Sequence, residues 1–153
     1  SGCSTLRAHH LAKLNKPLVS LGLSQSCLKE LCSASGLENS LSGAYRLEIR
    51  QVDHPSKTET SPKVSTDIQL EVTDGQVVVV VFNDFGTRGM LISVTDQGRE
   101  TLSSELTPLY SPPLDAKELL AVIKLLLSSP PYVATEGCRL PPTEQVTLRR
   151  IDG

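Results

Sequence analysis

The chain has 153 residues, a hydrophobic fraction of 39% and a formal net charge of −2, with an isoelectric point near 5.9. One domain fits that length and can bury roughly 70% of its unfolded surface, so neither a disulfide nor a metal is required to hold it. Acidic and basic residues are interspersed with no basic run beyond Arg149-Arg150, and two Phe, three Tyr and no Trp offer little for base stacking, so nucleic-acid binding is disfavoured.

Leu6, His10, Leu11 and Leu14 recur at helical spacing, which predicts a helix over residues 4–15 that ends before Pro17. Residues 17–23 form an apolar connector. Ser24 is then a good N-cap for a second helix whose stripe is Cys27, Leu28, Leu31 and Cys32, with Gly36 expected as its C′ residue. From Gly43 the period changes to two: Tyr45, Leu47 and Ile49 alternate with Arg46, Glu48 and Arg50, a strand with one wet face. Residues 53–63, with two prolines, read as a surface loop.

Ile68, Leu70 and Val72 repeat the alternation. Asp74-Gly75 then suits a tight hairpin turn into the run Val77–Phe82, which should be a central strand covered on both faces or nearly so. A turn at 83–86 leads to a strand through Met90, Ile92 and Val94, and Asp96-Gln97-Gly98 permits another hairpin into 99–102. A proline-rich crossing over 106–113 precedes the strongest helix, 115–127. There Asp115 and Glu118 are spaced as a capping box, and Leu114 and Leu119 as a hydrophobic staple. Val146, Leu148 and Ile151 predict a last strand or docking segment. The fold class expected is α+β: an antiparallel meander of four to five strands packed against helices, in one domain over 1–153. Its core is 24–128, with an N-terminal helical extension over 1–23 and a C-terminal extension over 129–153.

No apolar run reaches the roughly 18 residues of a membrane span, since the longest, Leu119–Leu127, is interrupted by Lys124. Ser1-Gly2 is expected to be a remnant of tag removal, with the natural chain extending further. Cysteines at 3, 27, 32 and 138, with no glycosylation sequon, are expected to be reduced thiols in an intracellular, cytoplasmic or nuclear, setting.

Chemistry-bearing motifs are few. Asp84-Phe85-Gly86 matches the kinase metal triplet, but the remaining kinase motifs are missing and the triplet is expected to be a turn with one buried Phe. His9, His10, Cys27 and Cys32 lack the paired spacing of a zinc site, so no metal or other cofactor is expected. An enzyme would need a deep polar pocket gathering His54, Cys138 or Asp84. Ser61-Pro62, Thr107-Pro108, Ser111-Pro112 and Ser129-Pro130 have the local form of proline-directed phosphorylation sites.

The meander ending at Val94, the Ser111-Pro112-Pro113 crossing after Tyr110 and the helix Asp115–Leu127 together resemble the layout of RWD domains, non-catalytic relatives of ubiquitin-conjugating enzymes. That family's Tyr-Pro-x-x-x-Pro pattern is only loosely echoed by Tyr110-Ser111-Pro112-Pro113, and no His-Pro-Asn follows. The resemblance implies an RWD-like layer sandwich and a non-catalytic scaffolding module that binds other protein subunits. The expected contact surfaces are the exposed meander edge and the outer face of the last helix, with Lys117, Lys124 and Leu127 joined by Arg46 and Arg50. The alternative is a pleckstrin-like or adaptor-appendage module binding lipid or trafficking partners. It would gather Arg46, Arg50, Lys57 and Lys63 at one mouth for anionic lipid.

Overall fold

The computed structural model describes residues 6–8, 16–52, 61–95, 101–133 and 135–152. The elements in chain order are β1 (Leu6–Ala8), α1 (Gln25–Leu31), a 3₁₀ turn (Asn39–Leu41), β2 (Gly43–Gln51), β3 (Val64–Thr73), β4 (Gln76–Phe82), β5 (Arg88–Thr95), β6 (Thr101–Leu106), α2 (Ala116–Leu127) and β7 (Glu144–Arg150). Their seven strands make one sheet in the order β1-β6-β5-β4-β3-β2-β7. The chain is α+β. Strands β2 to β6 are the meander that the alternation predicted, and β7 joins antiparallel to β2.

The period-2 pattern decides which side of the sheet is covered. Tyr45, Ile68, Val81 and Met90 are successive cross-strand partners over four strands, and all four are buried. They join α1 and α2 in one apolar cluster. Leu119, Leu120, Val122 and Ile123 of α2 are fully buried within it. The opposite face stays open to solvent and carries Arg46, Glu48, Asp67, Gln69 and Glu71. β4 is the middle strand, yet only Val77, Val79 and Val81 are fully buried while Val78 and Val80 are half-buried. The expectation of cover on both faces is therefore corrected: both helices lie on one side, and nothing among the described residues roofs the other.

Capping residues set the helix ends. Ser24 Oγ accepts from Cys27 N at 3.1 Å, as expected of an N-cap. Gly36 is not the C′ residue of α1, because Cys32 already leaves helical geometry (ψ 69°), and Gly36 makes a separate turn at φ 85°. The Asp115 carboxylate accepts from Lys117 N, but Glu118 does not complete the capping box. Its Oε2 accepts instead from Leu21 N at 2.7 Å, tying the connector to the first turn of α2.

Three further expectations are corrected. Residues 6–8 are a strand paired parallel to β6, because the open edge of β6 supplies backbone partners that outweigh local helical spacing; residues 4–5 and 9–15 lie outside the described residues. Cys27 and Cys138 are joined in a disulfide across 111 residues, with Cα atoms 5.2 Å apart, so these thiols are not reduced. Their sequence separation hid a proximity that only the fold creates. Cys32 keeps its thiol and is buried. The meander edges are not bare either: β1 covers β6 and β7 covers β2. The loop at 53–60 and the turn at 96–100 lie outside the described residues, and His54 and Lys57 with them.

Candidate functional site

The residues expected to form a contact surface do not come together. Lys124 is 5% exposed. Its Nζ donates to Ser33 Oγ at 3.0 Å and to the carbonyl of Ser35, so it pins the loop after α1 rather than facing a partner. Lys117 and Leu127 are half-buried on α2, on the roofed side. Arg46 and Arg50 lie on the open face. Arg46 forms a two-pronged pair with its cross-strand neighbour Asp67 (2.7 and 3.3 Å), and Arg50 meets Glu48 at 3.3 Å. Lys63 meets Glu144 at 2.6 Å. The expected basic mouth is thus divided among separate ion pairs. Cys138 is consumed by the disulfide and is no nucleophile, and the three histidines lie outside the described residues. Among the described residues no group of three His, Cys, Asp or Glu side chains gathers to hold a metal.

One end of the sheet is different. The turn between β4 and β5 is held by Asn83, whose Oδ1 accepts from Phe85 N at 2.9 Å and Thr87 N at 3.1 Å, while its Nδ2 donates to Thr87 Oγ1. Asn83 N also donates to Thr87 O, and Gly86 N to Asn83 O. This is the self-bonded turn that Asn favours. Its product is a fixed tip on which Phe85 stands 91% exposed.

A second tip is formed by Thr107-Pro108-Leu109-Tyr110, closed by Tyr110 N donating to Thr107 O at 3.2 Å. Pro at the second position and positive φ at the third are the pattern of a type II turn, where glycine is the normal third residue. Here the third residue is Leu109, at φ 67°. A side chain in that region costs roughly 1–2 kcal/mol. Leu109 is 98% exposed, so no packing among the described residues offsets the cost.

The two tips are one unit. Thr107 N donates to Gly89 O at 2.8 Å and Thr107 Oγ1 to Arg88 O, which fastens the second turn to the start of β5. The Tyr110 ring lies against Gly89. Burial, with the nearby charge of Asp84 as a smaller cause, pushes the Tyr110 phenol up to about 12.

Phe85, Leu109, Leu18, Phe82, Val64 and Tyr110 line a groove of ≈ 610 Å³ with Lys63, Asn83, Asp84 and Ser111 among the polar residues. A second groove of ≈ 460 Å³ shares Phe82, Asn83 and Asp84 and runs toward Arg46 and Asp67. Among the described residues six large hydrophobics are exposed, and Leu18, Phe85 and Leu109 of these meet at the first groove. The sequence did signal the first tip as a turn. The expectation that its Phe would be buried is corrected, because the turn bonds to itself and lifts Phe85 clear of the core, and the sequence held no sign that Leu109 would occupy a glycine position. Comparison with protein-family models, with curated proteins and with solved structures finds no match for this chain.

Proposed function

We propose that the chain is a non-catalytic binding module that docks through its Phe85–Leu109 end. The observation that carries this reading is the pair of rigid tips, each presenting one almost fully exposed large hydrophobic at a shared groove. Clustered apolar exposure of this kind marks a contact surface, since a lone monomer gains nothing from it. Leu109 strengthens the case, because backbone strain retained without an internal contact points to a use outside the fold. A scaffolding role within a larger assembly, and the RWD-like layering of residues 24–128, remain part of this proposal on element order alone.

The Cys27–Cys138 disulfide supports a setting in an oxidising compartment, in place of the intracellular one expected from the cysteine spacing. No helix among the described residues is long and apolar enough to cross a membrane.

The test uses the chain and its F85S/L109G double variant as baits in an extract containing both soluble proteins and membranes. Whatever the wild type retains should be lost from the variant while the melting temperature is not lowered. Equal retention by both would sink the reading.

A further inference from the structure

We propose that the outer edge of β7 pairs with the same edge of a second copy of this chain, antiparallel about a two-fold axis at Thr147, so that two seven-strand sheets become one. β7 is the last strand on its side of the sheet, and nothing among the described residues pairs with its outer edge. The ladder to β2 fixes which groups lie there. Ile151 N donates to Ala44 O and Val52 N to Thr143 O, so counting from either end the bonded pairs fall on Gln145, Thr147 and Arg149. Glu144, Val146, Leu148 and Arg150 therefore turn their N–H and C=O outward. Of these groups Glu144 N is already used, donating to Pro141 O at 3.1 Å. Neither a proline nor a bulge guards the edge.

The order of residues along β7 selects the occupant. The strand runs Glu144-Gln145-Val146-Thr147-Leu148-Arg149-Arg150, acidic at its start and basic at its end. Laid antiparallel on itself about Thr147, it sets Glu144 opposite Arg150 on both sides of the axis, Gln145 opposite Arg149 and Val146 opposite Leu148. Val146 and Leu148 then exchange N–H donors and carbonyls, and Arg150 N donates to the Glu144 carbonyl. Their side chains share the covered face with Ile49 and Leu47, so pairing carries the apolar layer from one copy into the next. Other registers lose this match. Centring on Leu148 sets Glu144 against Asp152, and centring on Val146 sets Arg150 against Pro142. A slip of one residue opposes outward amides to inward ones.

A second observation points to the same contact. Glu144 Oε1 meets Lys63 at 2.6 Å, but Oε2 is buried and has no partner among the described residues. Arg150 gives Nε to Asp152 and one N–H each from Nη1 and Nη2 to Ser40 O and Ser42 O, which leaves a second N–H on both terminal nitrogens. Arg150 of the second copy stands opposite Glu144 and supplies the donor that Oε2 lacks. The remaining edge charges do not oppose this. Arg149 is on the open face, 3.8 Å from Glu48, and meets Gln145 across the axis, while Asp152 is held by Arg150 and Ala44 N.

Sedimentation equilibrium reads the assembly, since one chain has a mass of 16.5 kDa and the wild type should sediment at twice that. Thr147→Cys tests the axis. A residue opposite its own copy in a non-bonded pair has Cα atoms ~4.5 Å apart, within reach of a disulfide. Mild oxidation should give a covalent dimer on a non-reducing gel, whereas Gln145→Cys, opposite Arg149, should give none. Glu144→Arg and Arg150→Glu each place like charges opposite one another on both sides of the axis and should weaken association by at least about tenfold. Mixed in equal amounts, the two variants regain both ion pairs and should sediment as a heterodimer. Should either charge variant fail to fold, the two cysteine variants decide alone, because they alter no charge. A wild type that stays monomeric at ~100 μM, equal cross-linking at positions 145 and 147, or a mixture of folded charge variants no more associated than its components would each overturn the proposal.

Discussion

Tyr110 lies so close on Gly89 that a Cβ at Gly89 would stand 2.7 Å from Cε2 and Cζ of the ring. That contact joins the turn at 107–110 to β5 and keeps the phenol away from water. Gly89→Ala must push the ring out, at a cost of about 1–3 kcal/mol typical of overpacking. The same displacement should let the Tyr110 phenol, held up at about 12, fall back toward its ordinary value near 10. Ultraviolet titration of tyrosinate checks this against Tyr110→Phe, which should lose one tyrosine's share of the high-pH change.

Leu109→Gly should raise stability even as it removes a side chain of the docking end. The turn demands positive φ and the side chain is 98% exposed, so glycine at φ 67° relieves roughly 1 kcal/mol of strain. Chemical denaturation should show a higher midpoint with the slope unchanged. A lower midpoint would mean that Leu109 has a packing role the structure does not contain.

The Cys27–Cys138 bridge closes a loop of 111 residues and fastens the segment before β7 to α1. Replacing both cysteines by Ala should cost about 2–5 kcal/mol, the range found on removing native bridges from small domains. Peptide mapping without reductant should recover Cys27 and Cys138 in one linked species. Finding both alkylated in a protein isolated without reductant would refute the pairing.

Glu118 gives the protein a dependence on pH. Burial raises its carboxyl above the ordinary range; the charge of Asp115 adds to this, while the bonds from Leu21 N and Ser20 act the other way. With a folded pKa above the unfolded one, the folded state binds the proton more tightly. The stability this confers is complete below the unfolded value and is lost as pH rises through the folded one. Glu118→Gln keeps an acceptor for Leu21 N and should flatten that part of the stability–pH curve, measured by denaturation at a series of pH values.

Lys124→Met should destabilise by about 1–3 kcal/mol, because it leaves the buried Ser33 hydroxyl and the Ser35 carbonyl without their ammonium donor. Lys117→Met, half-exposed on the same helix, is the control and should change stability little. Equal thermal shifts for the two would show that Lys124 is a surface residue after all.

Local patterns were sufficient, without coordinates, to place a meander of four to five strands by alternation, the Asp74-Gly75 hairpin by its turn residues and the helix after Asp115 by its cap and period, while the segment through Val146 was legible only as a last strand or a docking segment. Each rests on contacts between near neighbours along the chain, which leave their period in the sequence. Three things were decided only when distant segments met. Residues 6–8 became a strand because β6 had an unpaired edge. Cys27 found Cys138 across 111 residues. Lys124, on a helix covered nearly all round, turned inward to the Ser33–Ser35 loop. The docking end belongs with these, since burial and φ belong to the folded chain. Nothing in the order of residues shows that Phe85 and Leu109 share one groove, or that Leu109 sits where a glycine would be at ease.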